Sequence, residues 1–70
     1  MSEFENKLIA VLGAAATGVA AAPVLARRGA RVRVYDTKPA AELGAAVRKL
    51  EPHAELRLGD PHYSGIEECD

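Results

Sequence analysis

The sequence predicts an α/β protein built on a parallel sheet, and three observations along the chain support that fold class. Residues 7–12 (KLIAVL) form a short apolar run that ends at Gly13. A stretch rich in alanine follows, and residues 31–35 (RVRVY) then alternate between charged and apolar up to the acid Asp36. A strand, a small-residue turn, a helix and a second strand in this order are typical of a Rossmann-like βαβ unit.

The first βαβ unit carries clear signals for its strand and for the ends of its helix. The first strand is expected to be buried on both faces, because its apolar residues follow one another without alternation. The helix is expected to begin near Thr17, whose hydroxyl could cap a free backbone amide. It should end before Gly29, a residue suited to the left-handed conformation just past a helix end.

The second strand is predicted to be less covered than the first. Val32 and Val34 fall on one face of it, while Arg31 and Arg33 fall on the other. Arginines on a strand could indicate nucleic-acid binding, but a solvated strand face is the more ordinary interpretation of this alternation. We therefore expect the two arginines to face solvent.

The rest of the chain predicts one more helix, one more strand and a polar tail. Residues 40–50 are predicted as a single helix, which Gly44 weakens by about 1 kcal/mol relative to alanine. Residues 54–58 alternate as a third strand, and the tail at 62–70 is expected to start a third helix with a solvated acidic face. The strand order would be 3-2-1, which leaves the apolar first strand as an exposed sheet edge.

Composition excludes several classes of partner and compartment. The chain has 70 residues, a net charge of −1 and three aromatic residues, so neither nucleic acid nor an anionic membrane is an expected partner. Cys69 is the single cysteine, which rules out an internal disulfide and favours the cytoplasm. The uncharged stretch 8–26 follows an acidic lead-in and contains glycine and proline. It therefore predicts neither a signal peptide nor a membrane span.

Metal and nucleophile chemistry are not indicated by the sequence. His53 and His62 are predicted as solvent-exposed loop residues, and together with Cys69 they lack the spacing of a zinc site. No combination of serine, histidine and acid, or of cysteine and histidine, forms a credible nucleophile set. We expect no metal site and no catalytic residue in this chain.

The small-residue turn partly matches the glycine fingerprint G-x-G-x-x-G of dinucleotide-binding folds. Gly13 and Gly18 occupy the first and third glycine positions, and Ala15 replaces the second. An added methyl group there crowds a pyrophosphate lying on the loop, but it leaves the amides at the start of the helix free to bind an anion. Because the turn follows a strand and opens a helix, its context supports a phosphate-binding role.

An acid stands where such folds bind a nucleotide. Asp36 ends the second strand, and in dinucleotide enzymes an acid at this point hydrogen-bonds a ribose hydroxyl. Thr37 and Lys38 add a hydroxyl and a cation beside it. The structural alternative is that Asp36 and Thr37 merely cap the turn before Pro39. The agreement between the strand end and the glycine turn favours the functional interpretation.

These residues resemble a known family. The segment VLGAAATGVAAAPVLARRGARVRVYDTKP, with ELRLGDPHYSGIEECD after a short helix, is similar to the N-terminal domain of the Mur ligases. Its most specific parts are Thr17-Gly18 and Asp36-Thr37-Lys38. The resemblance covers nearly all of residues 1–70 but only the front of such an enzyme. We therefore expect the chain to form the front part of one UDP-substrate-binding domain, without the later ATP-binding and C-terminal domains.

The resemblance implies a substrate, a reaction and a set of binding residues. The substrate would be UDP-N-acetylmuramoyl-alanine, to which the enzyme adds D-glutamate during peptidoglycan synthesis. The catalytic machinery, ATP and magnesium would belong to the missing domains. By match of position, Asp36 and Thr37 would hold the uracil end and Lys38 would lie against the base. The turn would face the diphosphate through its residues Gly13, Ala15, Ala16, Thr17 and Gly18.

Two other functions remain open at the level of sequence. The chain could be an NAD(P)-binding βαβ module of an oxidoreductase, in which Asp36 binds the adenosine ribose. It could also be a non-catalytic fold fragment that self-associates through the open edge of the first strand, Leu8–Leu12.

Overall fold

The computed structural model describes residues 4–70 and contains a three-stranded parallel sheet. Strand β2 (Arg31–Asp36) lies between β1 (Leu8–Leu12) and β3 (Glu55–Leu58). The predicted α/β class and the order 3-2-1, with the second strand in the middle, are confirmed. All three strands run in one direction, so their carboxyl ends meet at one edge of the sheet.

Three α-helices connect the strands. Helix α1 (Val19–Arg27) links β1 to β2 and is followed by Gly29 at φ +93°, as the sequence predicts. The prediction of one helix over residues 40–50 is wrong. Gly44, at φ +56° and ψ −126°, separates α2 (Ala40–Leu43) from α3 (Ala45–Leu50). A residue with a side chain rarely adopts this backbone conformation, so the glycine ends one helix and starts another.

The apolar core lies between the helices and one face of the sheet. Val32 and Val34 point from β2 into this core, where Leu50 of α3 is also fully covered. Small residues allow the turn and α1 to approach the sheet closely. The buried members of the cluster are Val11, Ala14, Ala22, Val32, Val34 and Leu50.

The opposite face of β2 is buried as well, which corrects the prediction of a solvated face. Arg33 is only 7% exposed and Tyr35 is fully buried, although Arg31 at the start of the strand does face solvent. Strand β2 is therefore more covered than β1. The prediction failed because alternation within a strand shows which residues share a face but not whether another segment covers that face.

The C-terminal segment, residues 60–70, crosses this second face and is anchored to it. The tail does not form the predicted third helix and contains only a single 3₁₀ turn, Ile66–Glu68. The Tyr35 hydroxyl donates a hydrogen bond to the Ser64 carbonyl at 2.7 Å, and the ring of Tyr63 packs edge-on against Tyr35 with centroids 5.7 Å apart. An edge-to-face pair of aromatic rings and a buried hydroxyl thus replace the solvent expected at this face.

Arg33 supplies the polar anchor of the same segment. Its guanidinium donates to the Gly65 carbonyl at 3.1 Å and to Glu68 Oε1 at 2.9 Å. It also donates to Glu55 Oε1 of β3 at 3.0 Å. The acidic tail is therefore only partly a solvated face, because Glu68 pairs with a nearly buried arginine.

The outer edge of β1 is partly occupied. The backbone N–H of Asp70 donates to the Leu8 carbonyl at 2.7 Å, and the Leu8 N–H donates to the Asp70 carboxylate at 2.7 Å. At the other end of the strand, Leu12 is 53% exposed. The prediction that β1 is buried on both faces is therefore wrong at its carboxyl end. Within residues 4–70, no helix is long and apolar enough to cross a membrane.

Candidate functional site

The candidate site lies at the carboxyl edge of the sheet, where the turn after β1 meets the end of β2. Gly13 leaves β1 with φ +109° and ψ 113°, and its N–H donates to the Tyr35 carbonyl at 2.7 Å. The positive φ explains why glycine is needed at this position. The turn thus starts in fixed register with the neighbouring strand.

The chain becomes helical immediately after Gly13, which is earlier than the sequence predicts. Residues Ala14–Gly18 form one π-helical turn that continues directly into α1. Thr17 therefore lies inside the helical turn and does not cap its start, and Gly13 at the N-cap position makes no side-chain hydrogen bond there. The expected helix start was wrong because the helical turn begins at the buried Ala14. The Asp36 carboxylate accepts the N–H of Ala14, so no Thr17 cap is needed.

Gly18 has a packing role that only glycine can fill. A Cβ at this position would lie 2.6 Å from the Gly13 carbonyl oxygen and 3.2 Å from Cγ1 of Val34. The third glycine of the fingerprint is thus required for close contact between the helical turn and the sheet, as its position predicts.

Asp36 joins the two turns of the site. Its Oδ2 accepts the N–H of Ala14 at 2.9 Å, and its Oδ1 accepts the N–H of Lys38 at 2.9 Å. These two bonds hold the pKa of the Asp36 carboxyl below its usual value. The carboxylate is therefore charged at neutral pH and satisfies the first amide of the helical turn. Asp36 thus caps its own turn, as the structural alternative predicted, and in addition it reaches the glycine turn.

The loop after β3 closes the same edge of the sheet. The Gly59 N–H donates to the Lys38 carbonyl at 3.0 Å, and the Asp60 N–H donates to the Asp36 carbonyl at 3.4 Å. Neither residue was predicted from the sequence to belong to the site. The only signal for them was the Gly-Asp-Pro turn directly after a strand of the same sheet.

All eight predicted site residues lie at this one edge. Gly13 and Gly18 are structural members, and the carboxylate of Asp36 bonds to backbone. The side chains open to solvent at the site are those of Ala15, Ala16, Thr17, Thr37 and Lys38. Ala14, which the sequence did not single out, supplies the amide that ties the two turns together.

A separate open groove of about 450 Å³ lies at the opposite edge of the sheet, near the amino ends of the strands. It contains none of the predicted site residues. His53 lies in it and is exposed, as is His62 in the loop after β3, which confirms that both histidines are exposed loop residues. The residues that line the groove are Leu8, Ala30, Arg31, Val32, Arg33, Glu51, His53, Ala54 and Glu55.

Comparison with known proteins shows similarity to one kind of enzyme. A UDP-N-acetylmuramoylalanine–D-glutamate ligase of Chromobacterium violaceum is 38% identical over 68 residues, which is 93% of this chain and 15% of that ligase. The ligase of the same name from Streptococcus equi subsp. zooepidemicus is 51% identical over 51 residues, 73% of this chain and 11% of its own length.

A third relative with this name, from Bacillus thuringiensis, is 55% identical over 42 residues, 60% of this chain and 9% of the ligase. The chain thus spans about a seventh or less of the length of these curated relatives. No protein-family profile matches it.

Proposed function

The chain is a segment of the Mur ligase type, similar to the UDP-N-acetylmuramoylalanine–D-glutamate ligases, and we propose that it binds the UDP part of a UDP-N-acetylmuramoyl-alanine substrate. The observation that carries this proposal is the 38% identity across 93% of the chain. In a complete enzyme the segment would form the front part of the domain that holds the nucleotide. It would contribute no catalytic residue of its own.

The geometry at the carboxyl edge of the sheet supports nucleotide binding. Ligands of open parallel α/β sheets bind in the crevice at the carboxyl ends of the strands. Here the amides around Ala16 and Thr17 are at the start of a helix, where they have no acceptor within the helix itself. We assign these amides to the diphosphate, because backbone N–H groups at a helix start favour anions.

The second turn supplies the groups for the uridine end. The side chains of Thr37 and Lys38 are exposed beside the anchored Asp36. A hydroxyl can donate to and accept from the polar edge of a pyrimidine, and an ammonium group can lie against the ring face. We propose that Thr37 contacts the uracil end, that Asp36 holds the turn that presents it, and that Lys38 lies against the base.

The remaining parts of the reaction fall outside this chain. We propose that the parent protein is a cytoplasmic, ATP-dependent ligase of peptidoglycan synthesis, in which ATP and magnesium bind to other domains. ATP would phosphorylate the substrate carboxylate, and the amine of D-glutamate would then attack the acyl phosphate. The role of this segment would be to fix the nucleotide so that the carboxylate reaches that machinery.

The alternative of an NAD(P)-binding module gains no support from the site. In dinucleotide-binding folds, the acid at the end of the second strand accepts a hydrogen bond from ribose. Both oxygens of Asp36 already accept backbone amides, so its carboxylate is less available for that contact. Ala15 in place of the second glycine also crowds a pyrophosphate that lies on the loop.

The experiment is an NMR titration of the ¹⁵N-labelled chain with UDP-N-acetylmuramoyl-alanine and, separately, with NAD. We expect amide shifts at Thr17, Gly18, Thr37 and Lys38 with the UDP compound only. The Lys38→Met variant should weaken binding, whereas Lys49→Met, at the exposed end of α3, should not. Shifts at these residues with NAD alone would favour the oxidoreductase. No shift with either ligand would overturn nucleotide binding by this chain.

A further inference from the structure

One carboxylate connects the two turns that carry the candidate site. Asp36 Oδ2 bonds to the N–H of Ala14, 22 residues away, and Oδ1 bonds to the N–H of Lys38. Ala14 opens the helical turn that carries the diphosphate side of the site. Lys38 belongs to the turn that carries the uridine side, so a single side chain touches both halves.

We propose that Asp36 is the positioning residue of this site. Its carboxylate sets the separation and orientation of the two turns, while the flanking residues make the principal contacts with the ligand. The identity of the ligand rests on the proposed function, but the coupling of the two turns through Asp36 does not.

The chemistry of the two bonds requires an acid at this position. Both partners are N–H donors, and an ionised carboxylate is the one short side chain that offers an acceptor at each of its two ends. Asparagine has the same shape but offers one oxygen and one NH₂ group. In the Asp36→Asn variant one of the two amides would face a donor, so only one turn could stay anchored.

The surroundings of Asp36 favour its charged form. The nearby Lys38 ammonium adds electrostatic attraction to the two backbone bonds. Asp60, in the loop packed against the same edge, uses its own carboxylate to accept the N–H groups of His62 and Ser64 at 2.9 and 2.8 Å. Asp60 therefore caps the neighbouring loop in a similar way without contacting the glycine turn. The matched control for the loss of one carboxylate charge is Glu67, which is exposed in the 3₁₀ turn of the C-terminal segment and has no side-chain hydrogen bond in the described part of the chain.

The test compares three variants of the ¹⁵N-labelled chain: Asp36→Asn, Thr37→Val and Glu67→Gln. Two quantities are measured: hydrogen exchange at the Ala14 and Lys38 amides, and the Kd for uridine diphosphate. We expect Asp36→Asn to speed exchange at one or both amides by about tenfold and to weaken binding about fivefold or more, the effect of losing a charge-assisted hydrogen bond. Thr37→Val should weaken binding without changing hydrogen exchange at Ala14, and Glu67→Gln should change neither quantity.

Each outcome decides the proposal. If Asp36→Asn leaves hydrogen exchange at both amides unchanged, Asp36 is not the positioning residue. The same conclusion follows if the variant speeds exchange but leaves a measurable Kd for uridine diphosphate unchanged. If Asp36→Asn does not fold, acid titration of the unaltered chain replaces it: the Ala14 and Lys38 amide resonances must then move with one common midpoint. If the unaltered chain binds no uridine diphosphate, the proposed function fails. Hydrogen exchange at the Ala14 and Lys38 amides then decides by itself whether Asp36 couples the two turns.

Discussion

Arg33 and Glu68 are 35 residues apart in the chain, and a 2.9 Å ion pair joins them across the second face of the sheet. The side chain of Arg33 is 8% exposed and that of Glu68 is 59% exposed, so the pair connects the interior to the surface. Hydrogen bonds with Tyr35 and Glu68 raise the pKa of Arg33 above its ordinary value, and the guanidinium stays charged. The C-terminal segment is therefore held to β2 by a permanent cation.

Replacing Arg33 should release this segment from the sheet. Arg33→Met removes the donors to Glu55, Gly65 and Glu68, and leaves the half-buried Gly65 carbonyl and the buried Tyr35 hydroxyl with fewer partners. We expect the Tm to fall by about 5–10 °C, as for the loss of a buried polar network in a small domain. Thermal unfolding followed by circular dichroism measures the change. Arg31→Met, on the same strand but exposed, is the control. An equal fall in Tm in the two variants would contradict the role of Arg33 as the anchor of the C-terminal segment.

The buried hydroxyl of Tyr35 should contribute separately from its ring. Tyr35→Phe keeps the contact with the Tyr63 ring but removes the donor to the Ser64 carbonyl and an acceptor for Arg33. We expect the free energy of unfolding to fall by about 1 kcal/mol, measured by urea denaturation. Tyr63→Phe is the matched control, because the Tyr63 hydroxyl has no hydrogen bond in the described part of the chain. If Tyr35→Phe leaves the free energy of unfolding unchanged, this hydroxyl does not stabilise the segment.

Acid should destabilise the fold through carboxylates that are bonded in the native state. The pKa of Glu55 is lowered by Arg57 and Arg33, and that of Asp36 by the Ala14 and Lys38 amides. A group with a lowered folded-state pKa contributes stability above its unfolded pKa, and that stability is lost as pH falls through the folded value.

The free energy of unfolding should therefore be nearly constant at neutral pH and fall below about pH 4.5. Urea denaturation at pH 7, 5, 4 and 3 measures this. Glu55→Gln should flatten the decline, whereas Glu67→Gln, at an exposed residue without an ion pair in the described chain, should leave it unchanged. Stability that rises on acidification would refute this assignment.

The contact at Gly18 should not tolerate even one added methyl group. In the Gly18→Ala variant, the new Cβ would lie 2.6 Å from the Gly13 carbonyl oxygen, so the helical turn must move away from the sheet. We expect a loss of about 1–3 kcal/mol, typical of overpacking, although alanine favours helices. Urea denaturation gives the loss, and amide shifts at Gly13 and Val34 report the movement. A stabilised variant would show that the close contact is absent in solution.

The sequence was most informative where one local signal determines the structure. The apolar run of β1 and the glycine that ends α1 were placed to within one or two residues. The break at Gly44 was underestimated, because a helix propensity describes the cost of glycine in a helix and not its ability to adopt a positive φ. The start of the first helical turn was placed too late, since its cap comes from Asp36, 22 residues away.

The second face of the sheet could not be predicted from local pattern at all. The alternation of β2 correctly separates its two faces, but whether Arg33 faces solvent depends on a tail more than thirty residues later in the chain. The candidate site was easier to predict, because its residues follow the ends of two adjacent parallel strands. Local pattern did not predict the hydrogen bonds that join the two turns. Their donors are backbone amides, so the types of the donor residues do not indicate these bonds.

The hydrogen bonds between Leu8 and Asp70 have a consequence for how the chain folds. They close a loop of 62 residues, whereas the strand pairs within the sheet join residues about 22 apart. Long-range contacts must offset the entropy of loop closure, and they slow folding when they are required early. We expect the sheet to assemble first and the C-terminal segment to dock last. The rate of folding should then be insensitive to substitutions near Asp70, which would instead accelerate unfolding.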